Sequence, residues 1–260
     1  MKKKLLFTFA TCLIFSLTLR AQEQMRLVWY DEFDQAGMPD PERWAYDTGG
    51  HGWGNNELQY YTMKDPDNAM VKDGKLIITA RQEQHGDNPY TSAKLVTRGK
   101  KAWQYGRIEV SARLPKGRGT WPAIWMLPEV EKLNWPRDGE IDIMEHVGFD
   151  PGVVHGTVHT EAYNHTKGTQ VGKQVQVEDF ADTFHVYAIE WSPEEIVWLL
   201  DGQPYHSFRN EGTEAAWPFD KPFYLILNIA VGGNWGGAQG VDENIWPQQM
   251  EVDYVRVYQP

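Results

Sequence analysis

The amino-acid sequence predicts an all-β fold, an antiparallel β-sandwich or jelly roll, on three observations. Short segments rich in β-branched and aromatic residues recur at 75–81, 106–114, 123–127, 140–145, 153–160, 184–191, 196–200, 223–230 and 251–258, separated by Gly, Pro, Asn and Asp,. No long amphipathic helical pattern interrupts them, and many short strands with turn punctuation are the mark of a sandwich or jelly roll. No repeat, low-complexity tract or Ser/Pro-rich linker follows residue 22, so residues 22–260 read as one domain,.

Residues 1–21 read as a secretory signal. Lys2, Lys3 and Lys4 make a basic start, residues 5–19 a mostly apolar run short for a membrane span, and Ala21 a small residue at the cut,. The mature chain then begins at Gln22 and is exported, to periplasm or medium. Cys12, the single cysteine, falls inside the signal, where a lipid anchor would leave most of the apolar run on the wrong side of the cut,. Without disulfides, an exported chain must be held together by a large packed core.

Losing the signal removes Lys2, Lys3, Lys4 and Arg20, so 25 basic against 36 acidic side chains becomes 21 against 36. Such an acidic body repels phosphate backbones and polyanions, which disfavours nucleic acid and sulfated or uronic polymers and leaves a neutral polymer open as partner. The 12 Trp and 12 Tyr exceed what a core needs. Flat rings with polar edges suit sugar faces as well as burial, and about half are expected in the core.

Alternation assigns faces. In 106–114, Ile108, Val110, Ala112 and Leu114 share the core side, with Arg107, Glu109, Ser111 and Arg113 opposite,. In 153–160, Val154, Gly156 and Val158 face the core, which leaves His155, Thr157 and His159 on one polar face compatible with a cleft floor.

The strand at 140–145 carries the chemistry. In regular alternation Glu140 and Asp142 share a face with Met144, and Glu145 joins Ile141 and Ile143 in the core,. An unpaired buried carboxylate is costly, so a one-residue β-bulge near Ile143 and Met144 is expected to return Glu145 to the face of Glu140 and Asp142. Three neighbouring acids cannot all ionise freely, and their proton affinities must separate. Retaining glycosidases need two carboxyls about 5–5.5 Å apart, and successive same-face residues of a strand stand about 6–7 Å apart at Cα. The same pattern fits a solvent-exposed acidic strand, or a calcium or magnesium site. Neither accounts for the Trp-rich sequence on both sides.

Segments 53–62 (WGNNELQYYT), 105–110 (YGRIEV), 119–128 (GTWPAIWMLP), 139–148 (GEIDIMEHVG), 155–160 (HGTVHT), 232–237 (GGNWGG) and 253–258 (DYVRVY) span nearly all of the mature chain. Together they resemble glycoside hydrolase family 16, and within it the laminarinase-like endo-β-1,3-glucanases, whose acidic motif has the extra residue before the last Glu. The resemblance implies a jelly roll whose concave sheet makes a long open groove, with no cofactor in the chemistry. It implies Glu140 as nucleophile, Glu145 as acid/base, and Asp142 between them hydrogen-bonded to a catalytic carboxyl. Trp121 and Trp125, both on the groove face while Ile124 and Met126 face the core, are the expected sugar platforms. Asn55 resembles the family's ligand for glucose hydroxyls, His159 borders the same subsite or is a structural histidine, and Trp235 belongs to an outer one. Lys94 stands where relatives often carry Arg, so a minus-side sugar contact there is weaker or differently aimed. A structural calcium is implied between the first and last strands, on Glu32, the Gly74 carbonyl and Asp253, and an acidic pair without an ion stays open beside it.

The expected activity is hydrolysis of internal β-1,3 bonds in a laminarin-like glucan by a monomer. A mixed-linkage or galactan-specific enzyme is the alternative, because groove loops choose the sugar. A glucan-binding module without catalysis is a further one, and it has no need of both Glu140 and Glu145.

Overall fold

A computed structural model describes residues 25–260; the signal read at 1–21 and Cys12 lie outside them. In chain order the strands are β1 (Arg26–Asp31), β2 (Ala45–Tyr46), β3 (Gln59–Tyr61), β4 (Ala69–Lys72), β5 (Lys75–Ala80), β6 (Tyr90–Ser92), β7 (Lys94–Val96), β8 (Gly106–Arg113) and β9 (Thr120–Pro128). They continue with β10 (Glu140–His146), β11 (Val153–His159), β12 (Val171–Gln176), β13 (His185–Trp191), β14 (Glu195–Leu200), β15 (Gln203–Arg209), β16 (Phe223–Val231) and β17 (Gln248–Gln259). Two antiparallel sheets hold nearly all of them. One runs β15-β14-β13-β8-β17-β5-β4 with β1 also on β17, the other β12-β11-β10-β9-β16-β7-β2. Among the described residues no helix is long and apolar enough to cross a membrane.

The core lies between the sheets. Ile108, Val110 and Ala112 from β8 and Ile124, Met126, Ile141, Val154, Val158, Leu225 and Leu227 from the second sheet are fully buried there. Burial of this much aliphatic and aromatic surface, at about 25 cal/mol per Å2, stands in for the missing disulfides. The core faces expected for 106–114 and 153–160 are those observed. The far face of β8 is not open to water, however, because Glu109 and Ser111 are also buried. There β8 is a central strand, with β13 on one side and β17 on the other. Trp44, Trp103, Trp191, Trp198 and Trp217 are core residues. Trp53, Trp121, Trp125 and Trp135 instead line a cleft over β10, β9, β16 and β7. The second sheet is therefore the one that carries the site.

Candidate active site

Glycine sets up the catalytic strand. Gly139 enters β10 with φ +92°, and a Cβ there would sit 2.7 Å from Pro218 Cγ, so the chain can turn into Glu140 only without a side chain,. Along β10, Glu140 lies opposite His159, Asp142 opposite Thr157 and Glu145 opposite His155, with the register shifting between Asp142 and Glu145. The shift recurs against β9, where Asp142 faces Trp125 and Glu145 faces Ala123. This is the β-bulge that the sequence required. It buries Ile141, Ile143 and Met144 together and returns Glu145 to the cleft,. The indole N–H of Trp198, from the opposite sheet, donates to the Asp142 carbonyl at 2.8 Å and fixes the strand where it bulges.

The spacing differs from the simplest expectation. The partners of Glu140 and Glu145 are four residues apart on β11, so the two backbones stand about 13 Å apart, two same-face steps rather than one. The long glutamate side chains must therefore lean toward each other over the shorter Asp142 to reach double-displacement distance. Indole donors hold both. Trp135 Nε1–H donates to Glu140 Oε2 at 3.0 Å and Trp121 Nε1–H to Glu145 Oε1 at 3.0 Å.

Burial is the main influence on all three acids and pushes Glu140, Asp142 and Glu145 each up to about 8,. For both glutamates the Asp142 charge is the next cause, while the indole donors and His159 oppose the rise. Asp142 is the most desolvated, its side chain 3% exposed against 15% for Glu140, and its Oδ2 has no hydrogen-bond partner. Burial disfavours the charge on all three, and a proton held by one of them relieves the repulsion on the others,.

His159 Nε2 lies 3.4 Å from Asp142 Oδ2 and 3.7 Å from Glu140 Oε1. It is buried and abuts these carboxylates. Oxygens of Glu140 and Asp142 and a nitrogen of His159 lie within 4.8 Å of one another. An imidazole suits neither calcium nor magnesium, so this trio does not fit the hard cation left open above.

The cleft, a cavity of about 480 Å3, takes in Asn55, Lys94, Trp121 and Trp125 beside the three acids. Trp125 Nε1–H donates to Asn228 Oδ1 at 2.7 Å, which fixes its ring. The Lys94 ammonium lies 4.4 Å from the Trp53 ring centre and 4.7 Å from that of Trp125, with Asp47 Oδ2 3.8 Å away. Burial pushes its pKa down, against the charges of Asp47, Glu57 and Glu140. Lys94 is thus held by two aromatic faces where an Arg fork would reach further. Trp235 does not line this cavity and stands beside it, edge-on to Trp121 at 5.6 Å.

Sequence reading missed Trp53, Glu57 and Trp135. Glu57 lines the cleft and accepts from Gln59 Nε2 at 2.6 Å, and burial pushes its carboxyl up. Trp53 and Glu57 lie inside the quoted 53–62 segment and Trp135 five residues before Glu140, so the signal was Trp or Glu beside a catalytic motif.

Of the calcium ligands expected from the resemblance, Glu32 gives both carboxylate oxygens to Arg256, at 2.8 and 2.8 Å. Its side chain is not a free cation ligand.

Comparison with known proteins agrees with this geometry. A family model described as "Glycosyl hydrolases family 16" matches residues 56–256. A "Beta-glucanase" of Rhodothermus marinus is 62% identical over 241 residues, covering 89% of this chain and 84% of that protein. The laminarinase structure from Rhodothermus marinus superposes with a TM-score of 0.89 at 60% identity, over 91% of this chain and 98% of that one. The structure of SCLam, described as a non-specific endo-β-1,3(4)-glucanase, matches with a TM-score of 0.87 at 48% identity, over 91% of this chain and 92% of that one. A carboxylate row on a bulged strand, flanked by indoles in a jelly-roll cleft, together with these matches, means that the chain belongs to glycosyl hydrolases family 16.

Proposed function

We propose that the protein is an exported, endo-acting, retaining glucanase that cleaves internal β-1,3 bonds of laminarin-like glucan. The observation that carries the reading is the bulge, which puts Glu140 and Glu145 on one face with Asp142 between them. Glu140 attacks the anomeric carbon while Glu145 protonates the departing oxygen. Glu145 then takes a proton from water, which displaces Glu140, and two inversions leave the configuration retained. Asp142, between the two glutamates, tunes their proton affinities, and the Trp135 N–H holds the Glu140 carboxylate in line. Glycone sugars lie over Trp125, Asn55 and Lys94, where indole faces and buried polar groups converge,. The chemistry uses no cofactor. A calcium ion on Asp253 and the Gly74 carbonyl would join chain segments distant in sequence.

Proton NMR of laminarin during hydrolysis tests the reaction: the freshly cut end should appear first as the β-anomer. Initial α-anomer would rule out double displacement. Reducing-sugar release from laminarin, lichenan, agarose and carrageenan fixes the substrate, with laminarin expected fastest. Mixed β-1,3/1,4-glucan is the expected second substrate, and the likeness to SCLam supports it. N-terminal sequencing of protein from the culture medium or periplasm should begin at Gln22.

A further inference from the structure

Two imidazoles stand between carboxylates, and they do so differently. His185 spends one ring nitrogen on each neighbour, Nδ1 on Asp201 at 2.8 Å and Nε2 on Asp179 at 3.1 Å, which are ordinary hydrogen-bond lengths,. His159 turns a single nitrogen, Nε2, toward two carboxylates at once, Asp142 Oδ2 at 3.4 Å and Glu140 Oε1 at 3.7 Å. Both separations exceed the about 2.7–3.2 Å of an ordinary N–H···O bond. Glu140 Oε2 takes the Trp135 N–H, which leaves Oε1 turned toward His159. Asp142 Oδ2 is buried without a hydrogen-bond partner, in a residue only 2% exposed. A buried carboxylate oxygen of this kind calls for a proton or a cation. Among the described residues this is the one group in which three metal-ligating side chains converge.

Distance selects the ion. Two ligand atoms about 2.1 Å from a tetrahedral centre stand about 3.4 Å apart, whereas adjacent ligands of an octahedral or square-planar centre stand about 3.0 Å apart. The 3.4 and 3.7 Å edges at Nε2 match the tetrahedral case. One imidazole nitrogen and two carboxylate oxygens are donors that zinc accepts, while calcium and magnesium take oxygen alone. Glu140 and Asp142 line the cleft, so the fourth position of a tetrahedral ion opens into it,. A dication also offsets the cost of ionising acids whose charge burial disfavours,. His159 Nδ1 has no acceptor, and without that outer bond, which tightens resident zinc sites, the ion is held loosely enough to exchange,.

We propose that Glu140 Oε1, Asp142 Oδ2 and His159 Nε2 bind zinc as an exchangeable inhibitory site, with water as the fourth ligand. With Oε1 on the ion and Oε2 on the Trp135 N–H, neither oxygen of Glu140 is free to attack an anomeric carbon. Binding stands on the geometry of the trio, and the inhibition rests on the glucanase reading.

Calorimetric titration of the enzyme with zinc chloride, without sugar, should show one tight site per molecule. Cobalt(II) in its place should give the intense visible absorption of a four-coordinate ion. His159→Phe and Asp142→Asn should each weaken zinc binding at least about tenfold and remove the cobalt signal. No tight site in wild type, unchanged zinc affinity in either variant that melts cooperatively, or the faint absorption of six-coordinate cobalt overturns the assignment. Over the same concentrations zinc should stop laminarin hydrolysis and EDTA should restore it, with calcium and magnesium unable to substitute for zinc. Undiminished hydrolysis by the zinc-loaded enzyme overturns the inhibitory role. Wild type that binds zinc in this way but never cuts laminarin overturns the glucanase reading and leaves the site standing, so the two failures are distinct.

Discussion

The two sheets treat the same residue types in opposite ways. On the β8–β17 sheet each of several glutamates has a guanidinium: Glu109 and Glu190 share Arg107, Glu251 pairs with Arg113, and Glu32 makes a two-pronged pair with Arg256. On the β9–β10–β11 sheet three acids stand in a row with two indole N–H groups and one imidazole for company. Paired charges lower the energy of the fold slightly and do no chemistry. Unpaired, desolvated ones raise it and leave proton affinities poised for transfer. The contrast separates structural carboxylates from reactive ones more sharply than exposure does, because Glu109 is as buried as many site residues.

Substitutions test this division in order of effect. Glu140→Ser should lower kcat on laminarin by at least about 1,000-fold while calorimetry still detects oligosaccharide binding; full residual activity would falsify the nucleophile assignment. Glu145→Gln should cost roughly 100- to 10,000-fold in kcat on glucan, and much less on an aryl glycoside whose leaving group needs no proton. A uniform loss on both substrates would move the acid elsewhere.

Asp142→Asn separates stability from turnover. The folded carboxyl lies at about 8, above its unfolded value, so the wild-type fold favours the protonated form and loses stability as pH rises through the window from about 4 to 8. The neutral amide escapes that loss. Its melting temperature should exceed wild type by a few degrees at pH 8, on the order of 1–3 kcal/mol, and match it at pH 4, while kcat falls. Equal melting at both pH values would show that Asp142 is not held neutral. In the opposite sheet Arg256→Met should cost only about 1 kcal/mol and leave kcat unchanged. The smallest effect expected is that of calcium. A chelator should lower the melting temperature by a degree or two without touching turnover, and no shift would mean that Asp253 holds no ion.

Much of this was legible because the sequence contained a contradiction. Regular alternation through residues 140–145 buried a glutamate, and the bulge that removes the conflict is present. All nine segments expected as strands are strands, with boundaries moved by at most a few residues. Among the strands not expected, β15 includes Pro204 and alternates poorly, β12 is mostly polar, and β2, β3, β6 and β7 have only two or three residues. The two-step separation of Glu140 and Glu145 follows from the bulge, which leaves their β11 partners four residues apart. Long-range placement was not legible. Nothing in the chain order says that Trp53 and Trp125 enclose Lys94, or that Arg256 reaches back to Glu32, since those contacts depend on how β7, β9, β1 and β17 are ordered in space.

The hydrogen bond from Trp198 to the Asp142 carbonyl couples the reaction centre to a residue no sugar can reach. Replacing Trp198 by Phe keeps a large apolar ring but removes the donor that marks where the extra residue sits. The catalytic row would then be free to slip by one position, which turns Glu145 inward and leaves the groove walls as they were. Inactivity would come from behind the sheet, in a protein that still binds its polymer.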